Sequence, residues 1–427
     1  MLNLKKPEVL APAGNFEKLK ASVNFGADAV YLAGNCFGMR AAAGNFSESE
    51  LYEAVEYAHA RGVKVYVTVN TMPRTNEYSF LKGYLEMLGK TGADAVIVSD
   101  LGVFMLAKET IPHVPIHVST QASVVSAQTC KAWYDLGATR VILARELSLQ
   151  EIVDIRKEIP EELEIEAFIH GSMCISYSGR CLLSNYITGR DANRGACTQP
   201  CRWDYKIYNS EIAEMVDHKA IAYEIDEVKR PGHRIPVIEE DGDTFTFSSK
   251  DLCMLQHIPE LVQSGLSCLK IEGRMKSTGY AATVTNAYRI AVDRYFEDPE
   301  NYTFDPALFA EVESVCHREY ATGFFFGGQT IEPNICSEPG YIREQAVLAV
   351  ATKGNEDGIA EFYQKNKFSV GDRLELLSPG KVGQGFVAEK IYDAEGNPID
   401  STPHPEMKFA LEVPYPVREG DILRFAK

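Results

Sequence analysis

The sequence predicts an α/β protein built on a TIM-like (β/α)8 barrel, followed by a small β-barrel domain at the C-terminal end. Three observations favour this fold class. A helix–turn–strand step recurs four times, eight short strands alternate with helical stretches, and a strand-rich region follows the last helix. Eight such steps within about 290 residues match the usual size of this barrel.

The recurring step begins at a glycine and continues into a β-branched run that ends in polar residues or glycine. Glycine adopts the left-handed conformation after a helix without a steric cost, so each of these glycines indicates a helix end directly before a strand. The four positions are Gly26, Gly92, Gly137 and Gly265.

The alternating helices and strands complete the pattern. Helices predicted over 15–25, 47–60 and 148–157 begin at Asn15, Ser47 and Ser148, residue types that cap helix N-termini. Ser148 with Glu151 also matches the capping box. Strands are expected near residues 8, 29, 65, 95, 116, 141, 166 and 268. An open doubly wound sheet is the alternative, but no GxGxxG run follows the first strand.

The domain layout follows from where these patterns change. We expect a barrel over 1–297, with an insertion over 171–248 between the seventh and eighth strands, then a connecting segment over 298–344. The insertion holds clustered cysteines and a predicted hairpin turn at Asp241 and Gly242. Short strands at 346–351, 359–362, 373–377, 385–391 and 408–413 predict a β-barrel module over 345–427. Because βα loops build the active sites of barrels, the insertion is expected beside the site.

Composition narrows the class of function. The chain of 427 residues carries a net charge of −17, which opposes broad non-specific binding of nucleic acids. A local basic groove on an acidic body remains compatible with that charge. There is no run of 18 apolar residues and no apolar signal core at the N-terminus, so we expect a cytoplasmic protein without a membrane anchor. Its ten cysteines then favour metal binding over disulfides.

Four clustered cysteines give the strongest chemical signal. Cys174, Cys181, Cys197 and Cys201 are separated by six, fifteen and three residues. Soft thiolates in this number suit an iron–sulfur cluster or zinc, and the wide first gaps favour the cluster over the tight knuckles that zinc usually prefers. Buried structural cysteines are the third interpretation. Cys36, in the loop after the second strand, is a weaker fifth candidate.

Polar residues at the strand ends predict a second feature, a binding site at the mouth of the barrel. Convergent cations suit a ligand that bears carboxylate or phosphate, because arginine offers a bidentate fork. His170 is either a proton shuttle or a hydrogen-bonded structural histidine, and Glu272 is the other titratable candidate for catalysis. The predicted binding residues are Arg40, Asn70, Gln121, Arg145, Arg274 and Lys276.

Local charge supports a positive mouth. Residues 171–206 contain five basic and two acidic side chains, a net of +3 that contrasts with the acidic chain as a whole. Such a mouth suits either RNA or a small diacid. Tyr177, Tyr186, Trp203 and Tyr205 lie in the same segment and suit stacking on unstacked bases, although packing beneath a long insertion explains them equally well.

Several motifs together resemble the collagenase-like peptidases, family 32 of the unknown-mechanism class. Residues 166–184 (EAFIHGSMCISYSGRCLLS) match that family's signature position by position. Residues 10–15 (LAPAGN), 37–40 (FGMR), 249–253 (SKDLC) and 271–276 (IEGRMK) also look like the family. The resemblance spans essentially the whole chain and implies that the four cysteines bind a 4Fe–4S cluster.

Within that family, the length and C-terminal module are most similar to the branch that supports hydroxylation of wobble uridine in tRNA to 5-hydroxyuridine. The resemblance therefore implies a tRNA uridine hydroxylase component that uses prephenate, a small dicarboxylate, as co-substrate. Expected partners are the anticodon region of tRNA and a related paralogue. A peptidase acting on unfolded or collagen-like chains is the alternative, although His-Glu-x-x-His and Gly-x-Ser-x-Gly motifs are absent. A non-catalytic scaffold is the third hypothesis.

Overall fold

The computed structural model describes residues 5–40, 43–203, 248–327, 336, 341–342, 345–355 and 358–426. Between 204 and 247 it describes only short strands, at 208–209, 214–215, 223–225, 235–240 and 243–245. The predicted turn at Asp241 and Gly242 lies outside the described residues. The strands on either side of it, Ile235–Glu240 and Asp243–Phe245, pair antiparallel as a hairpin requires.

Eight parallel strands close into a barrel, which confirms the predicted fold class. The last strand pairs in parallel with both the seventh and the first, so the sheet has no open edge and the doubly wound alternative is excluded. The strands are β1 (Glu8–Pro12), β2 (Ala29–Leu32), β3 (Lys64–Val69), β4 (Ala95–Val98), β5 (Ile116–Val118), β6 (Arg140–Ile142), β7 (Glu164–Ser172) and β8 (Cys268–Ile271).

Helices cover the barrel and begin where capping residues predicted them. Asn15 caps α1, and Ser47 and Ser148 form complete capping boxes with Glu50 and Glu151 at the start of α2 and α6. The helices are α1 (Phe16–Asn24), α2 (Glu48–His59), α3 (Tyr78–Leu88), α4 (Leu101–Thr110), α5 (Ala127–Leu136), α6 (Leu149–Glu158), α7 (Leu183–Thr188), α8 (Ile258–Gln263), α9 (Thr278–Glu297) and α10 (Pro306–Glu313).

The insertion and the chain after the barrel extend its sheet beside β7. Asp251–Cys253 pairs antiparallel with the end of β7, opposite residues 170–172, and Tyr320–Ala321 pairs in parallel with Asp251–Cys253. These short strands attach the returning chain to the carboxyl end of the barrel. They therefore fix the base of the cysteine loop that leaves β7.

The C-terminal domain is an antiparallel sheet that forms a half-barrel around its own apolar core. Phe362, Phe368 and Phe409 pack together at its centre. In sheet order, the strands are Gln384–Val387, Arg373–Leu377, Ile422–Phe425, Val347–Lys353, Ile359–Gln364, Lys408–Glu412, Ile391–Tyr392 and Pro398–Ile399.

A small apolar cluster and a buried ion pair join this domain to the barrel. Phe25 of α1 and Ala282 of α9 pack against Leu377 and Ile422 of the C-terminal sheet. Arg424, 4% exposed, donates through Nη2 to Glu311 of α10 at 2.8 Å and through Nε to Glu375 at 2.9 Å. The junction therefore combines apolar burial with a fully enclosed guanidinium.

We expect Arg424→Met to lower the free energy of unfolding by about 3 kcal/mol, because it leaves two largely buried carboxylates without their cation. Urea denaturation monitored by circular dichroism would measure the change. Lys353→Met, which breaks an exposed pair with Glu361, is the control and should cost less than about 1 kcal/mol. Equal losses in the two variants would contradict the assigned role of the junction.

Among the residues that the structure describes, no helix combines the length and the apolar character that crossing a bilayer requires.

Candidate functional site

A cavity of about 410 Å³ opens at the carboxyl ends of the barrel strands, which is where βα loops place functional groups. Its floor includes Tyr31, Ile97 and Phe168. One part of its wall carries four thiols, from Cys174, Cys181, Cys197 and Cys201. Another part carries the cations Arg40, Arg145, Arg202, Lys270, Arg274 and Lys276. The cavity thus brings the two predicted features of the sequence into one site.

The loop after β7 wraps the four thiols around the mouth. Gly171, near the end of β7, and Gly179, Gly189 and Gly195 of the loop all have positive φ, which glycine adopts without a steric cost. At Gly195 a side chain would also be excluded, because a Cβ atom would lie 2.8 Å from the carbonyl oxygen of Gly38. The loop therefore presses closely on the segment that carries Arg40.

Two of the thiols accept hydrogen bonds from the backbone. The N–H of Leu183 donates to Cys181 Sγ at 3.4 Å, and the N–H of Gln199 donates to Cys197 Sγ at 3.4 Å. Burial raises the pKa of the Cys201 thiol, and the other three thiols act on it in the same direction. All ten cysteines are free of disulfides. The four thiols therefore lie close enough to influence one another.

Among the described residues, no group of three or more His, Cys, Asp and Glu side chains is arranged to hold a single metal ion. The four thiols nevertheless line the same cavity.

Glu272, directly after β8, holds the first of the predicted cations. Arg40 Nη2 donates to Glu272 Oε1 at 3.0 Å, and the Tyr31 hydroxyl donates to Oε2 at 3.3 Å. Burial alone would raise the pKa of Glu272, but Arg40, Arg145 and Arg274 outweigh it and lower that pKa. Glu272 is therefore a carboxylate at neutral pH, and it accepts hydrogen bonds that fix Arg40 and Tyr31.

Arg274 differs from Arg40, because no carboxylate pairs with it among the described residues. It is 3% exposed, and it donates to the side-chain oxygens of Asn45, at 2.5 Å, and Thr68, at 3.4 Å. Burial lowers the pKa of its guanidinium to about 10, which leaves it charged at neutral pH. Its Nε atom is buried without a hydrogen-bond partner in the part of the chain that the structure describes.

Arg145, after β6, is a second arginine without a carboxylate among the described residues. Its Nη atoms donate to the Ser172 carbonyl oxygen at 2.7 Å and to Ser178 Oγ at 3.0 Å. Its guanidinium lies 4.6 Å from the centre of the Phe168 ring, and Nε is buried without a partner within the described chain. Arg145 and Arg274 therefore both line the cavity, and each has one buried Nε donor without a partner among the described residues.

The remaining predicted binding residues also line the cavity. Asn70, at the end of β3, accepts from the Met39 N–H at 3.2 Å, and Gln121 is buried after β5. Lys276 donates to the Cys316 carbonyl oxygen at 2.9 Å and lies 4.6 Å from the centre of the Tyr341 ring. The structure therefore gathers all six predicted binding residues around one space.

His170 does not join them, because it points away from the cavity lining into a buried aromatic cluster. It is 1% exposed, and each ring nitrogen lies 3.4 Å from a tyrosine hydroxyl, those of Tyr288 and Tyr320. Burial lowers the pKa of the imidazole to about 3, so the ring is neutral at physiological pH. These contacts favour the structural interpretation of His170 over a proton shuttle.

We expect His170 to make the fold sensitive to acid. The unfolded chain binds this proton near pH 6.5 but the folded chain only near 3, so the free energy of unfolding falls as the pH drops from 6.5. The contribution approaches about 1.4 kcal/mol per pH unit. Urea titrations between pH 7.5 and roughly 5 should show a shallower decline for His170→Gln than for the parent protein. His404→Gln, at an exposed position, is the control, and an equal change there would contradict this assignment.

Charged residues inside the barrel were not predicted from the sequence. Lys270 of β8 donates to Glu166 of β7 at 2.7 Å, and Arg140 of β6 lies 3.2 Å from the other oxygen of Glu166. Arg140 also reaches Glu8, at 2.6 Å. The sequence does indicate them, because charged residues stand at alternating, inward-facing positions within otherwise apolar strands. Lys270 thereby adds a cation to the cavity floor.

Only part of the predicted positive segment is available to a ligand. Arg194 pairs with both oxygens of Glu77 at 2.7 and 2.8 Å, and Arg202 donates to the Met173 carbonyl oxygen at 2.6 Å. Arg190 is exposed. Lys206 and Tyr205 lie outside the described residues.

Comparison with known proteins places the chain among characterised sequences. Residues 14–334 match the model described as Peptidase family U32, and residues 343–424 match Peptidase family U32 C-terminal domain. The chain is 38% identical to the tRNA hydroxylation protein P1 of Bacillus subtilis, over 96% of this chain and 92% of that protein. It is 36% identical to the tRNA hydroxylation protein P of Escherichia coli, over 96% and 94%. It is also 29% identical to a protein named Collagenase from Porphyromonas gingivalis, over 91% and 90%.

Proposed function

We propose that this chain, which belongs to peptidase family U32, supports hydroxylation of the wobble uridine of tRNA to 5-hydroxyuridine. Relatives named for tRNA hydroxylation align with it over nearly their whole length. The observation that carries the proposal is one cavity lined both by four thiols and by two arginines, Arg145 and Arg274, that have no carboxylate partner among the described residues. Such a site can hold a redox group and a small anion side by side.

The four thiols would hold a 4Fe–4S cluster. Cys174, Cys181, Cys197 and Cys201 share one cavity wall, and backbone N–H donors at two of the sulfurs suit thiolates that ligate a cluster. Zinc is the alternative, and the wide spacing of the first three cysteines favours the cluster over it. When bound, the cluster supplies one-electron redox chemistry at the cavity mouth.

The small anion would be prephenate, a dicarboxylate. Arg145 and Arg274 both line the cavity, and each retains a buried Nε–H without a partner in the described part of the chain. An arginine can donate two charge-assisted hydrogen bonds to one carboxylate, and the deeply buried Arg274 has already lost its own hydration in the free protein. We therefore assign one carboxylate to Arg274 and the other to Arg145.

The ionised Glu272 has a positioning role in this scheme. It accepts hydrogen bonds from Arg40 and Tyr31 and so holds both side chains in place beside the cavity. An ionised carboxylate with a lowered pKa is a weak base, so we assign Glu272 to positioning rather than to proton transfer.

The alternative function is a peptidase that cleaves unfolded or collagen-like chains, as the name of the relative from Porphyromonas gingivalis suggests. No histidine lines the cavity among the residues that the structure describes, and His170 is buried in its aromatic cluster. A thiol nucleophile there would have no imidazole to activate it. The site therefore supports redox chemistry better than hydrolysis.

The proposed function is tested by the nucleosides of tRNA. Mass spectrometry of tRNA from a strain that lacks this chain and any related paralogue should show loss of 5-hydroxyuridine and the nucleosides made from it. Re-expression of the chain should restore them. Unchanged nucleosides, together with gelatin cleavage by the purified protein that disappears in Cys197→Ala, would establish the peptidase alternative instead.

A further inference from the structure

The cysteine loop exposes an unusual concentration of large apolar side chains at the cavity mouth. Tyr186 is 81% exposed and Leu182 is 58% exposed. Leu182 directly precedes α7 and lies four residues before Tyr186, so their side chains lie on the same face of the helix. Leu183 and Ile187 are also four residues apart and share a neighbouring face. We call the following residues the loop patch: Ile175, Tyr177, Leu182, Leu183, Tyr186 and Ile187, all of which are exposed. Contiguous apolar surface of this kind marks an interaction site.

An exposed cation beside the loop patch suits an anionic partner. Residues 171–203 contain four arginines and one aspartate, but two of these arginines are engaged in the ion pair and the carbonyl contact described above. Arg190 directly follows Gly189, at the end of α7, and is exposed. Arg180 lies between Tyr177 and Leu182 and donates to the Gln121 carbonyl oxygen at 3.1 Å, which anchors the loop to the barrel.

The loop patch is continuous with the cavity. Ile175 and Leu183 are exposed at the surface and also line the cavity. Cys174 and Cys181, which are close to them in the sequence, line the same cavity. A group that stacks on the loop patch therefore lies next to the thiols and to the entrance of the anion site. An enzyme that modifies a base needs this continuity, because the base must leave its stack to reach the reacting groups.

We propose that the loop patch docks a single-stranded RNA loop, with an unstacked base on Tyr186 and the adjoining phosphates near Arg190. This inference rests on the proposed function for the identity of the RNA as tRNA. Exposed tyrosines beside arginines are the usual platform for unstacked bases, and duplex RNA offers no free base face to such a platform. An acidic protein partner would bind the same arginine, but its binding would not require a loop patch that is continuous with the cavity.

Fluorescence anisotropy tests the proposal with the full-length protein. The probes are a labelled RNA hairpin with a uridine-containing single-stranded loop, and a duplex of the same stem that lacks the loop. We expect the hairpin to bind more tightly than the duplex. Tyr186→Ala should weaken hairpin binding about ten-fold, the loss typical of one stacked base. Arg190→Gln should lower the slope of log affinity against log salt by about one.

Two matched variants control for non-specific effects. Tyr52→Ala removes an exposed tyrosine from α2, and Lys367→Gln removes an exposed cation from the C-terminal domain. Neither should change hairpin affinity. Circular dichroism of all four variants should match the parent protein, because each changed side chain is exposed.

The possible results separate this inference from the proposed function. Hairpin binding that is equal in Tyr186→Ala and Tyr52→Ala would overturn the role of the loop patch, while the nucleoside test still decides the function. Light scattering that shows a dimer for the parent and a monomer for Tyr186→Ala would assign the loop patch to self-association and also overturn the inference. Loss of hairpin binding in Tyr186→Ala alone would support it even if the nucleosides in a deletion strain were unchanged.

Discussion

Cys197→Ala is expected to lose nearly all of the iron and acid-labile sulfide that the parent protein binds, and with them the ability to restore 5-hydroxyuridine in a deletion strain. Cys197 accepts a backbone hydrogen bond from Gln199 and lies on the cavity wall with the other three thiols. A cluster with four cysteine ligands cannot replace a missing thiolate with alanine. Anaerobic purification, followed by metal analysis and visible absorption, measures the loss independently of activity.

Cys36→Ala is the matched control for this experiment. Cys36 is a partly buried free thiol on the loop after β2, and it does not line the cavity. The variant should keep its iron, sulfide and colour. Full cluster content in Cys197→Ala would overturn the assignment of this ligand. One zinc per chain in the parent protein, without sulfide, would replace the cluster with the zinc alternative.

The barrel was predictable because its local signals are strong and agree with one another. The glycines Gly26, Gly137 and Gly265 adopt positive φ directly after helices, as predicted, whereas Gly92, also at positive φ, lies three residues beyond the cap of α3. The caps at Asn15, Ser47 and Ser148 form as expected, and the family resemblance is confirmed by the matches over residues 14–334 and 343–424. Each of these signals depends on residues close in sequence, so a single chain suffices to read it.

The residues that form the site were predictable from the sequence, but the ion pairs and hydrogen bonds between them were not. Strand ends identified the residues of the mouth, because all parallel strands end on one face of a barrel. Which cation meets a carboxylate depends on long-range packing: Arg40 reaches Glu272 across 232 positions of the sequence, whereas Arg274 reaches only amide and hydroxyl oxygens among the described residues. The burial of His170 among tyrosines is likewise a property of the assembled core.

Arg274→Met is expected to stabilise the free protein while it abolishes its response to prephenate. The guanidinium of Arg274 is desolvated and has no carboxylate partner in the described chain, so its removal should raise the free energy of unfolding by about 1–2 kcal/mol. The parent protein recovers this cost only when an anion binds, and at 100 times the dissociation constant the ligand adds about 2.7 kcal/mol. Loss of the charged partner should weaken prephenate binding by about 2–5 kcal/mol.

Thermal unfolding with and without prephenate resolves both effects, and Arg318→Met is the control of opposite sign. Arg318 is as deeply buried as Arg274, but it pairs with Asp251, which is also buried. Its removal leaves Asp251, among the described residues, with the backbone N–H of residue 318 at 3.2 Å and Lys276 at 3.8 Å, and should therefore destabilise the protein by about 3 kcal/mol whether or not prephenate is present. Destabilisation of the free protein by both substitutions would mean that Arg274 is structural. If prephenate raised the unfolding temperature of Arg274→Met as much as that of the parent protein, the anion would bind elsewhere in the cavity. An arginine that serves a ligand lowers the stability of the free protein in exchange for binding, so Arg274→Met should change both quantities together.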